Sequence, residues 1–226
     1  MIGIFDSGIG GLTALARLRI LKPCSDICYL ADKENAPYGE KDAETLVKLV
    51  KRNIDRLRYF GCGEILAACC TASAIFDKLP SEYQRQVTPI IRPAAKEALR
   101  LSPSGRIGVI ATAATVGMDA FGREIRLINP EAKVFSGAAQ PLVALVENGE
   151  RDGAVSINCE DYLKNLLSPF AEAEVETLIL GCTHFTHLTE TIERILKIKT
   201  VSPSFVGAEI IAEKDFGGGS GKTVYI

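Results

Sequence analysis

Glu64-Ile65-Leu66-Ala67-Ala68-Cys69-Cys70-Thr71 begins as a short apolar run and ends on two thiols and a hydroxyl. The run has the length of one buried strand, and residues 71–79 behind it read as a helix. Ligands in sheets built this way collect beyond the carboxyl ends of the strands. The pattern returns at Thr177-Leu178-Ile179-Leu180-Gly181-Cys182-Thr183-His184, 113 residues on, again with a cysteine just past the strand. Ile2-Gly3-Ile4-Phe5 and Ile107-Gly108-Val109-Ile110 form a second echo, offset by 105 residues. Both offsets are close to half of the 226-residue chain, so the simplest account is one α/β unit present twice.

Around these runs, strands are expected over 2–5, 27–30, 64–68 and 89–91, then over 106–111, 133–135, 177–180 and 223–226. Helices are expected over 12–21, 42–60, 71–79, 116–127, 140–148, 155–170 and 188–196. In the second of these, Leu46, Leu49, Val50, Ile54 and Leu57 recur at spacings of three and four. Short buried strands alternating with helices predict an α/β fold with mostly parallel sheets. The expected division is a first α/β domain, residues 1–92 plus about 205–226, and a similar second one, residues 93–204.

Hydrophobic residues make up 47% and charged residues 24%, enough for a packed core. Lys and Arg total 26 against 28 Asp and Glu, a net charge of −2. Without a basic excess, and with 7% aromatic residues and no Trp, nucleic acid is not an expected partner. No apolar run reaches the ~18–20 residues of a membrane span. The first residues, Met1 to Asp6, carry no basic segment of a signal peptide, so the chain reads as cytoplasmic, with no membrane partner. Seven cysteines in such a compartment read as thiols and not as a disulfide framework. Cys24, Cys28, Cys62 and Cys159 have the setting of packing or surface thiols.

Three strand ends carry reactive groups: Asp6-Ser7-Gly8, Cys69-Cys70-Thr71 and Cys182-Thr183-His184. Each feeds a helix start, whose free N–H groups suit a carboxylate. His184 is placed to assist proton transfer at Cys182, and Asp6 at Cys69. A buried cysteine at a strand end is by default inert packing; the pairing, with polar neighbours at both positions, raises the chemical reading to equal weight. Gly8-Ile9-Gly10-Gly11, with Asp32 after the next strand, imitates a dinucleotide fingerprint but has Thr13 at the third glycine. Gly217-Gly218-Gly219-Ser220-Gly221-Lys222-Thr223 imitates a phosphate loop, yet Phe216 replaces the first glycine and no helix has room to follow, so a turn before a last strand is expected. Cys182, His184 and His187 form an incomplete zinc set. Glu147, closing a helical stretch, is by default a solvated residue.

Taken in order, Phe5-Asp6-Ser7-Gly8-Ile9-Gly10-Gly11-Leu12, Pro37-Tyr38-Gly39, Ala68-Cys69-Cys70-Thr71-Ala72-Ser73 and Gly181-Cys182-Thr183-His184 resemble the blocks of glutamate racemases, within the aspartate/glutamate racemase superfamily. The resemblance runs from Ile2 to about Leu196. It implies two α/β domains related by pseudo-two-fold symmetry, with the active site in the cleft between them. It also implies an enzyme without pyridoxal phosphate, metal or other cofactor, acting on a small amino acid and commonly dimeric, so a homodimer is expected. By the same resemblance Cys69 and Cys182 are the acid/base thiols on opposite faces of the substrate, with Asp6, His184 and Glu147 as helpers. Ser7, Pro37, Tyr38, Gly39, Thr71 and Thr183 match substrate-holding positions.

Cys70 stands where the family carries a substrate-binding Asn, and Arg92 where an acid is usual. Phe185-Thr186 replaces Tyr-Pro, Ser202-Pro203 replaces a late Asp-Ser, and the chain after Ser204 is short. The implied activity is interconversion of L- and D-glutamate, supplying D-glutamate for peptidoglycan. The alternatives are a racemase for aspartate or a hydantoin, a relative that binds ligand or regulates without turnover, and a zinc protein.

Overall fold

Nine strands are present among the described residues, 1–214 and 219–226, of the computed structural model. They are β1 (Ile2–Asp6), β2 (Ile27–Ala31), β3 (Glu64–Ala67), β4 (Val87–Pro89), β5 (Arg106–Ala111), β6 (Lys133–Ala138), β7 (Thr177–Gly181), β8 (Lys199–Val201) and β9 (Thr223–Tyr225). They build one sheet of order β4-β3-β1-β2-β9 and another of order β6-β5-β7-β8. Every pairing is parallel. With β9 set aside, β2-β1-β3-β4 and β6-β5-β7-β8 are the same order, so the echo in the sequence is an echo in topology. The central strands β1 and β7 are buried along their whole length, which explains their unbroken apolar runs. No helix among the described residues is long and apolar enough to cross a membrane.

Three helices position the cleft residues: α1 (Leu12–Leu21), α2 (Ala43–Tyr59) and α3 (Cys70–Ala74). α2 buries Leu46, Leu49, Val50, Ile54 and Leu57, the stripe expected from their spacing, and with them the polar Asn53. Asp42 caps α2 by accepting the Thr45 N–H at 2.8 Å, a contact typically contributing about 1 kcal/mol.

The expected helix over 71–79 is shorter. α3 ends at Ala74 and a separate 3₁₀ turn covers Phe76–Lys78. The Ser73 hydroxyl donates to the Ala67 carbonyl at 3.1 Å and accepts the Ile90 N–H at 3.2 Å, tying the segment to the ends of β3 and β4. The helix expected over 116–127 is two, Ala113–Gly117 and Ala120–Ile128, broken where Asp119 adopts a left-handed φ of 48°. The strand expected over 89–91 lies earlier, at Val87–Pro89; Ile91 already begins a helix, Ile91–Leu101. β4 is an edge strand paired only to β3, where a proline is tolerated.

That helix, β8 and the helix Pro203–Glu213 carry no expectation from the sequence. The last helix buries Ser204, Gly207 and Ala208, which give little hydrophobic contrast, whereas Ile91–Leu101 does alternate buried Ile91, Ala94, Ala95 and Ala98 with exposed Arg92, Lys96 and Arg100 at helical spacing. Of the glycine-rich stretch, residues 215–218 lie outside the described residues; residues 219–222 lead into the strand β9 beside β2. All seven thiols are free, Cys24 exposed and Cys28, Cys62 and Cys159 buried.

Candidate active site

The carboxyl ends of β1 and β3 from one sheet, and of β5, β6 and β7 from the other, meet at a cavity of about 470 Å³. Cys69 follows β3 and Cys182 follows β7, and both line it. Ser7, Pro37, Tyr38, Gly39, Cys70, Thr71, Glu147, Thr183 and His184 line the same cavity. Residues spread over the chain from 7 to 184 are thus brought together, as strand-end positions on adjoining parallel sheets should be.

Asp6 is the exception among the expected residues. It is fully buried and stands behind the wall. Its Oδ2 accepts the N–H groups of Gly8 at 3.0 Å and Gly11 at 3.1 Å, and its Oδ1 accepts the Thr183 hydroxyl at 3.4 Å. The carboxylate therefore ties the first strand-end loop to the second half of the molecule. That loop approaches so closely that a Cβ at Gly10 would overlap Thr183 Oγ1 and stand 2.9 Å from His184 Nδ1. Glycine at position 10 is required by this contact.

The two thiols have different neighbours. Cys69 lies 3.7 Å from Ser7 Oγ. Cys182 Sγ lies 3.6 Å from His184 Nδ1, and His184 Nε2 lies 3.2 Å from Glu147 Oε1. A thiol–imidazole–carboxylate chain thus runs from the cavity to the half-exposed Glu147. Burial pushes the Cys69 thiol up to about 12, the Asp6 charge adding to it, while the Ala72 N–H and Ser7 oppose. Burial also pushes Cys182 up, against the His184 N–H. For Cys70, burial raises the thiol first, then the proximity of Cys182 and Cys69. At neutral pH the sulfurs in this cavity hold their protons.

Among the described residues the lining includes Glu40 and Glu147 but neither Lys nor Arg, so a bound carboxylate would be held by hydroxyls and N–H groups. Among the described residues no group of three His, Cys, Asp or Glu side chains is arranged to hold a metal, so Cys182, His184 and His187 do not form a ligand set.

Three polar residues of the wall were not anticipated, Glu40, Thr112 and Gln140. The signal for Thr112 was present: the 105-residue offset that pairs β1 with β5 carries Ser7 onto Thr112. Gln140, just past β6, falls by the same offset on Asn35, which is not part of the cavity wall.

The family model for Asp/Glu/hydantoin racemases matches residues 16–211. The chain is 41% identical to the glutamate racemase of Desulforudis audaxviator over 196 residues, covering 86% of this chain and 71% of that one. It is 38% identical to the glutamate racemase of Aquifex aeolicus over 218 residues, covering 95% and 82%. Its fold superposes with a TM-score of 0.89 on the crystal structure of Francisella tularensis glutamate racemase in complex with D-glutamate, at 30% identity, covering 99% of this chain and 86% of that one.

Proposed function

This chain belongs to the Asp/Glu/hydantoin racemase family, and we propose that it is a glutamate racemase working with two cysteine bases. The observation carrying the mechanism is that Cys69 and Cys182, from the strand ends of two different sheets, line one small cavity. Inverting a stereocentre requires proton removal on one face and delivery on the other, and two thiols contributed from opposite halves supply both.

In one direction a Cys69 thiolate takes the Cα proton and becomes a thiol, while the Cys182 thiol gives its proton to the opposite face and becomes a thiolate. The reverse direction exchanges the roles. Each turnover leaves the pair inverted, so a proton must pass between the sulfurs and solvent before the next. The His184–Glu147 chain beside Cys182 provides such a route, ending at a half-exposed carboxylate. Ser7 presents its hydroxyl to the substrate, with main-chain N–H groups of the strand-end loops as the other donors, and the charge developing at Cα is stabilised by these fixed donors. The product D-glutamate is read as supply for peptidoglycan.

The test is circular dichroism of purified protein with L- or D-glutamate, and with aspartate in parallel, followed by mass analysis of Cα exchange in heavy water. Both glutamate enantiomers should converge on the racemate and gain deuterium. Folded protein that binds glutamate but exchanges neither enantiomer supports the turnover-free relative instead; convergence with aspartate alone moves the substrate assignment.

A further inference from the structure

Tyr38 lines the cavity, yet its side chain is 1% exposed. Its hydroxyl donates to Asp32 Oδ2 at 2.5 Å and accepts from Asn53 Nδ2 at 2.9 Å. Burial, and then Asp32, push the phenol well above its ordinary range, so it keeps that proton. With donor and acceptor both engaged on the side away from the cleft, the hydroxyl has nothing left to offer a ligand.

Asp32, 3% exposed, is a carboxylate whose burial requires full compensation. Its Oδ1 accepts from Asn35 Nδ2 and from Arg52 Nη2, both at 2.8 Å, and its Oδ2 accepts from Tyr38. Its own N–H donates to the Asp6 carbonyl at 2.9 Å, so it is anchored to the end of β1. Arg52 and Asn53 come from α2, where Asn53 interrupts an otherwise apolar buried stripe. On the cavity side the same loop presses on the second half: a Cβ at Gly39 would stand 2.7 Å from Thr112 Cβ and 2.8 Å from Gln140 Oε1.

We infer that Asp32, braced by Arg52 and Asn53, is a positioning residue for the reaction: through Tyr38 it sets where the Pro37-Tyr38-Gly39 backbone stands against Thr112 and Gln140, and so the width of the glutamate cavity. Tyr38 then serves as an anchor, and the substrate-facing part of its loop is main chain. Asp32 touches neither the cavity nor the thiols, and its effect falls on substrate affinity more than on proton transfer. The inference rests on the glutamate racemase reading.

The experiment is a double-mutant cycle of Asp32→Asn and Tyr38→Phe, with KM and kcat for both glutamate enantiomers, the D-glutamate dissociation constant by calorimetry, and the melting temperature. Each single variant should raise KM and the dissociation constant about tenfold with kcat within threefold, and the double variant should be no worse than either, since both cut one linkage. Asp32→Glu, which keeps the carboxylate, should recover part of the affinity. Lower melting temperatures with unchanged KM and dissociation constant would reduce Asp32 to a structural role and overturn the inference. So would additive effects, or a hundredfold loss of kcat in Tyr38→Phe alone, which would put the hydroxyl at the chemistry. Wild-type protein that binds glutamate without turnover defeats the racemase reading, while the calorimetric arm still decides the positioning role. Wild-type protein that neither binds nor turns over glutamate ends both.

Discussion

Thr71 Oγ1 lies 3.0 Å from Thr112 Oγ1, and Thr115 Oγ1 closes the triangle at 3.1 and 3.0 Å. Thr71 follows a strand of the five-stranded sheet, whereas Thr112 and Thr115 follow a strand of the four-stranded sheet. All three are buried, and each hydroxyl both donates and accepts, so a cyclic arrangement satisfies the whole group. Together with the Asp6–Thr183 contact, it pins the two halves together at the cavity that they share.

Thr115 does not line the cavity, so Thr115→Val tests the junction without touching the chemistry. It leaves two buried hydroxyls with one fewer partner. Unfolding free energy from urea titration should fall by about 1–2 kcal/mol. An unchanged midpoint would mean that the triangle contributes nothing to cohesion.

Replacing either thiol separates the half-reactions. Cys69→Ala and Cys182→Ala should each lower racemisation by at least about a thousandfold, the upper part of the range for a positioned acid or base. Each variant retains one base, so any residual Cα exchange in heavy water should favour one enantiomer, and the preferred enantiomer should differ between the two. Full turnover by either variant contradicts the two-thiol mechanism.

Glu147→Gln keeps the contact to His184 but removes its charge. At saturating glutamate kcat should fall about ten- to a hundredfold, because the route resets the thiols between turnovers. Because enantiomers have equal free energies, the equilibrium constant is one, and kcat/KM must stay equal in the two directions even if kcat and KM change separately. Progress curves from both enantiomers check this; an undiminished kcat would remove Glu147 from the proton route.

Burial raises both Cys69 and Cys182, so neither thiol is ionised in the free protein at neutral pH. A base that must first lose a proton gives an acidic limb lying above neutrality. kcat/KM should climb roughly tenfold per pH unit at its lower end between pH 7 and 9, and a flat profile across that interval would contradict the assignment.

The same shifts act on stability. Unfolded thiols ionise near their reference value of ~8.5, whereas the buried ones stay protonated to about 12 in the case of Cys69. Below the reference value the contribution is complete. Above it the unfolded chain binds fewer protons, and stability falls by about 1.4 kcal/mol per pH unit for each such thiol. Urea titrations between pH 9 and 11 should show a shallower decline for Cys69→Ala/Cys182→Ala than for the wild type.

Much of this was readable along the chain. The apolar runs before Cys69 and Cys182 become β3 and β7, and the stripe Leu46, Leu49, Val50, Ile54, Leu57 becomes the buried face of α2. Such patterns are local: a strand buried on both faces must be apolar throughout, and a helix with one buried face must repeat every three or four residues. The helix Ile91–Leu101 was legible by the same rule, since buried Ile91, Ala94, Ala95 and Ala98 alternate with exposed Arg92, Lys96 and Arg100 at helical spacing.

What a residue meets across the fold leaves no such trace. The position of Asp6 behind the wall and the entry of Gln140 into the cavity depend on how the two sheets are set against each other, and the engagement of Tyr38 by Asp32 and Asn53 depends on how its loop packs on α2. Local hydrophobic periodicity was enough to specify two parallel sheets and the strand ends where reactive groups must gather. The direction in which each of those groups faces was resolved only by packing, because hydrogen bonds between residues distant in the chain, not backbone propensity, choose where a buried polar side chain points.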